Sequence, residues 1–220
     1  MYNKRIINLE IPSYNAINFL EIYRLPQVHL NQALNITQHL QKSLSLQTLN
    51  LEFDQLNDLI SEIPGGSILN TIDQRVQYSE INTTCAINNI VDIVKSNCEM
   101  FEDDFLLQSK LESVISNVFL NLANQEKNSY VFYHEKLSHK TSYSYHVIFV
   151  IDNMDSSLNV FPISFNINVD SSYENLNKNS INDLQSYKIK ISGINFAISK
   201  NNELAEIMER VTERVTESTL

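Results

Sequence analysis

Glycine is scarce in this chain, and the shortage excludes several common binding and catalytic loops. The 220 residues contain three glycines, Gly65, Gly66 and Gly193. Dinucleotide-binding GxGxxG loops, Walker A phosphate loops and GxSxG nucleophile elbows each need glycines at spacings that these positions do not supply. Nucleotide-binding proteins of those types and α/β-hydrolases are therefore excluded.

Cysteine is also sparse, with Cys85 and Cys98 as the two thiols. Neither a CxxC pair nor any other zinc-ligand spacing is present, so a zinc site is not expected. The surrounding pattern predicts a helix, on which these two positions would lie roughly 220° apart around the axis. We expect two buried thiols, with an intermolecular disulfide as the alternative.

Basic residues are outnumbered, since 16 Lys and Arg face 26 Asp and Glu, for a net charge of −10. Nucleic acids and anionic lipid surfaces attract clustered Lys and Arg, so neither is an expected partner. Zwitterionic membranes and protein partners remain open.

Long hydrophobic runs are missing as well, although 43% of the residues are hydrophobic. No stretch approaches the roughly 20 apolar residues of a membrane-spanning helix. The N-terminal sequence MYNKRIINLEIPSYN lacks the apolar core, about 7–15 residues long, of a secretory signal. We therefore expect a protein made without a signal peptide, either kept in the cytoplasm or released.

No catalytic or metal-binding constellation stands out. His134, Glu135 and His139 miss the HExxH zinc motif by one residue and lie on a predicted strand and turn. The carboxylates at 102–104 are most simply the solvated start of a helix. We expect no enzyme, no metal and no cofactor, and only a pocket with convergent titratable groups would favour the enzyme alternative.

The most informative feature present is strict alternation over residues 141–169. Apolar side chains recur at every second position from Tyr143 to Ile151 and from Phe161 to Val169, and the opposite faces carry Ser142, Ser144, His146, Ser164, Asn166 and Asn168. This pattern fits the central hairpin of a sheet covered by helices. It equally fits strands that leave their cover and enter lipid, because about 9–11 residues of tilted strand cross a bilayer.

The rest of the chain predicts helices first and strands last. The expected elements are a strand at 7–11, one or two helical turns at 15–24, a helix at 27–43, a strand at 49–53, a helix from Asp54 to Ile63, a long helical region at 67–98 broken near 82–84, a helix at 103–124, and strands at 130–137 and 187–199. The apolar phase changes at Gly193, which predicts a β-bulge. This order indicates an α+β fold.

Four stretches, in this order, resemble the Cyt cytolytic δ-endotoxins of insect-pathogenic bacilli. They are HLNQALNI (29–36), LNLEFDQLNDLISEIP (49–64), SHKTSYSYHVIFVI (138–151) and PISFNINVD (162–170). The resemblance covers residues 5–199. It implies a single domain of three α/β/α layers, in which helical hairpins wrap both faces of a mixed, mostly antiparallel sheet.

The resemblance also implies an activity. Members of the family accumulate as inclusions, dissolve in an alkaline gut, are trimmed by proteases, bind phospholipid directly, and permeabilise cells as oligomers. Some members of the family rest as homodimers, and the sequence leaves the resting state of this chain open. Some relatives are virulence factors without assured pore formation, so a soluble lipid- or protein-binding factor is the alternative. Residues 200–220 have no counterpart in the resemblance and are predicted to form an amphipathic tail, either a removable pro-segment or a lineage-specific addition.

Carried onto this chain, the resemblance makes strands 141–152, 159–169 and 187–199 the candidates for membrane insertion. Their apolar residues are Tyr143, Tyr145, Val147, Phe149, Ile151, Phe161, Ile163, Phe165, Ile167, Val169, Ile189, Ile191, Ile194, Phe196 and Ile198. The helices at 27–43 and 103–124 would be the movable cover, through Leu34, Leu40, Leu107, Leu111, Val114, Val118 and Leu122.

Overall fold

The computed structural model describes residues 20–23, 25, 29–43, 51–101, 104–120, 131–136, 141–153, 156–170 and 184–200. The helices are α1 (Leu30–Leu40), α2 (Phe53–Glu62), α3 (Thr83–Ser96) and α4 (Phe105–Leu120). The strands are β1 (Leu20–Tyr23), β2 (Ser67–Asn82), β3 (Val131–Lys136), β4 (Thr141–Asp152), β5 (Ser157–Val169) and β6 (Leu184–Ser199). Short 3₁₀ turns follow α1 at Gln41–Ser43 and precede α4 at Glu99–Phe101.

The strands form one six-stranded mixed sheet in the order β1-β4-β5-β6-β2, with β3 also paired to β4. Strand β1 runs parallel to β4, from Leu20 opposite Ile148 to Tyr23 opposite Ile151. Strand β3 runs antiparallel to β4, from Lys136 opposite Thr141 to Val131 opposite Tyr145. The two short strands therefore pair with different lengths of β4.

The chain divides into two compact units, and the long strands contribute to both. The first unit holds Asn70–His146 and Ile163–Gly193, with helices α3 and α4. The second holds Pro12–Leu69, Val147–Pro162 and Ile194–Leu220, with helices α1 and α2. Each unit has a core of its own.

In the second unit, α1 and α2 bury one apolar stripe each. Ala33, Ile36 and Leu40 recur at helical spacing in α1 and are at most 1% exposed. They pack in one cluster with α2 and with three strands. The strand members of this cluster are Ile148, Val150, Leu158, Val160, Ile194, Phe196 and Ile198.

In the first unit, side-chain caps set the start of both helices. The Asn82 side chain accepts a hydrogen bond from the Cys85 backbone at the start of α3, and one Asp104 oxygen accepts from the Leu106 and Leu107 amides of α4. Tyr187 of β6 contacts both helices. Its hydroxyl lies 2.8 Å from that of Thr83, and its ring packs edge-on against Phe119 with centroids 5.6 Å apart.

The long helix expected at 67–98 is wrong, because its first half is strand β2. Ile68, Ile72 and Val76 recur every four residues, a spacing that suits a helix and also one face of a strand. The turn after α2, with Gly65 at φ +75°, leads directly into the strand. The break expected near 82–84 is where β2 ends and α3 begins.

Two smaller expectations are also wrong. Residues 20–23 form strand β1 within the segment expected to be helical, because they pair with β4. In the expected strand at 49–53, Leu51 makes an isolated bridge and Phe53 already begins α2, whose N-cap is Glu52. The expected strand at 7–11 and residues 201–220 lie outside the described residues.

The predicted α+β fold class is confirmed, with a mixed, mostly antiparallel sheet and helical hairpins packed on it. The helices expected at 27–43, 54–63 and 103–124 correspond to α1, α2 and α4. The boundary of the single domain at residue 199 and the bulge at Gly193 stay predictions.

Candidate functional site

The candidate insertion strands are long and their apolar side chains are hidden. Strands β4, β5 and β6 contain 12, 13 and 16 residues. Every candidate whose side chain the structure describes is at most 5% exposed. Only Tyr143 among them falls outside the described side chains. The resting protein therefore presents none of these described side chains to solvent.

The β6 candidates fall on two different sets of alternate positions. Ile194, Phe196 and Ile198 belong to the cluster built by α1 and α2. Ile189 and Ile191 share the alternation of Tyr187, which contacts Phe119 and Thr83. The change of apolar phase at Gly193 thus coincides with a change in which helices the strand packs against.

The expectation of one apolar and one polar face along the whole hairpin is wrong for its inner half, the part next to the turn between β4 and β5 (residues 147–151 and 158–162). Ile148 and Val150 follow Ser144 and His146 on the same alternate positions, and both are at most 5% exposed. Leu158 and Val160 behave alike on β5. The inner half of the hairpin is buried on both faces. The sequence carried a signal for this, since VIFVI at 147–151 is the continuous apolar run of a doubly covered strand.

In the outer half of the strands, polar side chains pair across the sheet. The hydroxyls of Ser142 and Ser144 donate to the side-chain oxygens of Asn168 and Asn166, at 2.5 and 2.6 Å. Ser144, His146 and Ser164 are nevertheless at most 5% exposed, so part of this polar set is buried.

Next to these pairs, β2, β5 and β6 enclose an open depression of about 380 Å³. Its polar lining residues are Arg75, Gln77, Asn166, Asn168, Lys188 and Lys190, and the apolar residues Val76 and Ile189 complete the lining. The Asp73 carboxylate lies 3.6 Å from the Lys190 ammonium and accepts from the Ser192 hydroxyl at 3.3 Å. Sequence reasoning missed this depression, because its members come from three strands and one of those strands was interpreted as a helix.

The predicted helical cover is buried where its side chains are described. Leu40, Leu107, Leu111 and Val114 are at most 3% exposed. Leu34 is half-buried against the α1–α2 cluster. The side chain of Val118 and the whole of Leu122 lie outside the described residues.

A buried histidine joins α1 to α2. The Nε2 atom of His39 lies 3.3 Å from the Leu59 carbonyl oxygen and 3.6 Å from a Glu62 carboxylate oxygen. Burial is the main cause that lowers the pKa of His39, with Lys42 acting in the same direction against Leu59 and Glu62. The ring is therefore neutral at physiological pH and serves as a hydrogen-bonding link within the hairpin.

The end of β6 is fixed beside the connection between β4 and β5. The Lys200 ammonium pairs with the Asp152 carboxylate, and the two side chains are 12% and 9% exposed. The Lys200 amide also donates to the Ser156 carbonyl oxygen at 2.7 Å. A mostly buried ion pair thus anchors the last described residue.

The two cysteines differ, against the expectation that both are buried. Cys98 is 1% exposed, and burial raises the pKa of its thiol to about 12. Cys85 is exposed in the first turn of α3. The Cys98 thiol is chemically inert at neutral pH, whereas the Cys85 thiol is accessible to solvent.

The described part of the chain contains neither a metal-binding cluster nor a helix suited to span a membrane. Within the described ranges, no three His, Cys, Asp or Glu side chains come together in a way that could hold a metal ion. Within the same ranges, no helix combines the length and the apolar character needed to span a membrane.

Comparison with known proteins decides the family. A family model described as Bacillus thuringiensis toxin matches residues 2–217. This chain belongs to that toxin family. The match includes most of the 200–220 segment, for which the sequence itself suggested no counterpart.

Relatives in the Bacillus thuringiensis toxin family are named for cell lysis. The chain is 27% identical to the Type-2Ba cytolytic delta-endotoxin of Bacillus thuringiensis subsp. israelensis over 93% of its length and 79% of the relative. It is 28% identical to the Type-2Bb cytolytic delta-endotoxin of subsp. jegathesan over 86% of its length and 73% of the relative. The predicted resemblance to cytolytic delta-endotoxins is confirmed.

Solved structures share the fold of this family member. A structure of a delta-endotoxin superposes with a TM-score of 0.76 at 24% identity, covering 83% of this chain and 81% of the other. The activated Cyt2Ba monomer from Bacillus thuringiensis subsp. israelensis superposes with a TM-score of 0.78 at 24% identity, covering 84% of this chain and all of the other.

Proposed function

We propose that this protein permeabilises membranes by binding phospholipid directly, oligomerising, and forming pores after its helices move away from the long strands. The observation that carries the proposal is the length and burial of β4, β5 and β6. A tilted strand of about 9–11 residues crosses a bilayer, and these three have 12, 13 and 16. The cytolytic names of the relatives support the same activity.

The energetic balance of such a rearrangement is a small difference between large terms. Each large apolar side chain gains about 1.5–3 kcal/mol when it is removed from water. The candidates already have that gain in the resting fold, where they are buried. Exchanging protein neighbours for lipid therefore changes the free energy of these side chains little. Proteolysis, alkaline pH or lipid contact must shift the equilibrium toward the inserted state.

Insertion of strands also requires several copies. An unpaired backbone group in hydrocarbon costs several kcal/mol, so a sheet edge cannot face lipid. One chain supplies three long buried strands, and among the described residues its sheet ends at β2 on one side. Neighbouring chains must therefore pair their edges on the membrane.

The same proposal fixes where the protein acts and what it needs. It accumulates as a cytoplasmic inclusion or is released, and it acts at the membrane of a target cell. Residues 1–199 are the cytolysin domain, and residues 200–220 are the segment that activation removes. The activity involves no catalytic step and no cofactor.

Dye release from protein-free phosphatidylcholine vesicles, before and after mild trypsin treatment, tests the proposal. We expect leakage and membrane-bound oligomers after trypsin treatment. Because the chain carries a net charge of −10, leakage from zwitterionic vesicles should be at least as fast as from anionic ones. Stable vesicles at saturating protein would exclude the proposed function.

A tryptophan reporter identifies which elements enter the bilayer, because the chain contains no tryptophan. Phe165→Trp places the reporter on an apolar position of β5, Asn168→Trp on an exposed polar position of the same strand, and Leu111→Trp on α4. Brominated acyl chains should quench the first and spare the second. Quenching of the α4 reporter alone would show that helices, not strands, insert.

The alternative function is a soluble lipid- or protein-binding factor of the same fold. The observation that favours it is that the described candidate side chains are at most 5% exposed at rest. Saturable vesicle binding without leakage and without quenching at Phe165→Trp would support this alternative.

A further inference from the structure

The depression between β2, β5 and β6 collects cations in an acidic protein. Arg75, Lys188 and Lys190 line it, although the whole chain has 16 basic against 26 acidic residues. Arg75 and Lys188 are exposed, and neither has an ion-pair partner among the described residues. The Asp73 carboxylate pairs with the Lys190 ammonium at 3.6 Å. Within the described ranges, Arg75 and Lys188 are thus two exposed cations without an ion-pair partner.

The amides in the depression present donors as well. The side-chain oxygens of Asn166 and Asn168 accept hydrogen bonds from Ser144 and Ser142. The Nδ2 group of each asparagine does not take part in these bonds. Within the described part of the chain, neither Nδ2 group has an acceptor. The serine pairs thus orient both asparagines so that hydrogen-bond donors remain available.

The spacing of these groups suits one ligand with several acceptor oxygens. Lys188 and Lys190 are alternate residues of one strand, so their Cα atoms lie about 7 Å apart. Asn166 and Asn168 stand in the same relation on the neighbouring strand β5. A tetrahedral anion can accept from several such donors at once, and the planar fork of Arg75 matches two of its oxygens.

We propose that this depression is a binding site for a phosphate group. The group can belong to a free phosphate ester or to a phospholipid headgroup. Both carry a negatively charged phosphate whose oxygens accept hydrogen bonds. The proposal does not depend on pore formation, since the site lies on the polar positions of the strands in the resting protein.

The test begins with inorganic phosphate titrated into the full chain by calorimetry, against chloride at matched ionic strength. We expect saturable binding of phosphate and none of chloride. Arg75→Gln/Lys188→Gln should weaken phosphate binding at least tenfold. Lys42→Gln/Lys95→Gln removes the same charge elsewhere and should leave it unchanged.

A conservative variant separates site geometry from charge alone. Arg75→Lys keeps the charge and loses the fork, so it should bind phosphate more weakly than the wild type and more tightly than the Gln/Gln variant. Circular dichroism of all variants establishes that the substitutions leave the fold intact. Equal phosphate binding by the Arg75→Gln/Lys188→Gln and Lys42→Gln/Lys95→Gln variants would overturn the proposal, as would absence of saturable binding.

Vesicles distinguish the two sources of the phosphate. If a headgroup occupies the site, inorganic phosphate should displace the protein from phosphatidylcholine vesicles, and Arg75→Gln/Lys188→Gln should bind vesicles less. If phosphate binds without displacing vesicles, the site takes a soluble phosphate ester. A protein that binds phosphate and fails in dye release would retain this site while losing the proposed function.

Discussion

The two halves of the long strands are built to different rules. In the half that packs against α1 and α2, alternate positions such as Val150, Val160 and Phe196 are apolar and fully buried. In the other half, the same alternation carries Asn168, Lys188 and other polar groups. Only the second half has the two-faced character expected of a strand between lipid and water.

This difference constrains any membrane-bound state. The two-faced stretches, such as 163–169 in β5, are about 7 residues long and fall short of the roughly 9–11 that a crossing needs. A crossing must include residues from the doubly apolar half as well. There both faces need a non-aqueous neighbour, which lipid supplies on one side and a partner chain or a retained helix on the other.

Truncating one phenylalanine should show the contrast at its largest. Phe196→Ala removes a fully buried ring and should lower the free energy of unfolding by about 3–5 kcal/mol. Lys190→Ala, on the same alternate positions of the same strand, loses only a partly exposed ion pair and should cost less than about 1 kcal/mol. Urea unfolding measures both, and equal losses would break the comparison.

The Lys200–Asp152 pair should have the next largest effect. Lys200→Met leaves a mostly buried carboxylate without its partner, which should cost about 3 kcal/mol. Lys200→Met/Asp152→Leu removes both charges and should recover most of that loss. If the double variant is as unstable as the single one in urea, the pair is not what anchors the end of β6.

A helix cap should give a smaller effect confined to the other unit. Asn82→Ala removes the acceptor of the Cys85 amide and should cost about 1 kcal/mol. Asn82→Asp keeps an acceptor and should be nearly neutral. Amide hydrogen exchange should show the loss of protection in α3 and not in α1, and loss in both would mean that the two units unfold together.

The smallest effect we expect is a pH dependence at His39. Its folded pKa lies below the usual 6.5, so the unfolded chain takes up the proton first as pH falls. The stabilisation is complete above about pH 6.5 and is lost as pH drops below that value. Wild-type stability should therefore fall more steeply on acidification than that of His39→Gln, and parallel curves would show that the histidine is not involved.

The sequence predicted those elements whose pattern fits only one period. Alternation of large apolar residues from Phe161 to Val169 has no helical counterpart, and β5 was predicted nearly to its ends. Ile68, Ile72 and Val76 are spaced by four, which is a multiple of two and close to 3.6, so the spacing predicts a helix where the structure has β2. Pairing with β6, a contact distant in sequence, decides between the two.

The candidate site was predictable in part for the same reason. The buried apolar residues of β4, β5 and β6 could be identified one strand at a time. The depression could not be identified in this way, because it forms only where Arg75 of β2, Lys190 of β6 and Asn166 of β5 come together. Side chains that meet only through strand order leave no local signature in the sequence.

The pairing of β4 has a consequence for how copies would join. Strand β1 contributes only the 4 residues Leu20–Tyr23, in a parallel ladder against Ile148–Ile151, and parallel ladders are slightly weaker per residue than antiparallel ones. This edge of β4 is already paired with β1. A second molecule can therefore pair with it only after β1 dissociates. Assembly by that route would be a strand exchange. Its rate would depend on how often the four residues of β1 dissociate from β4 and only weakly on protein concentration.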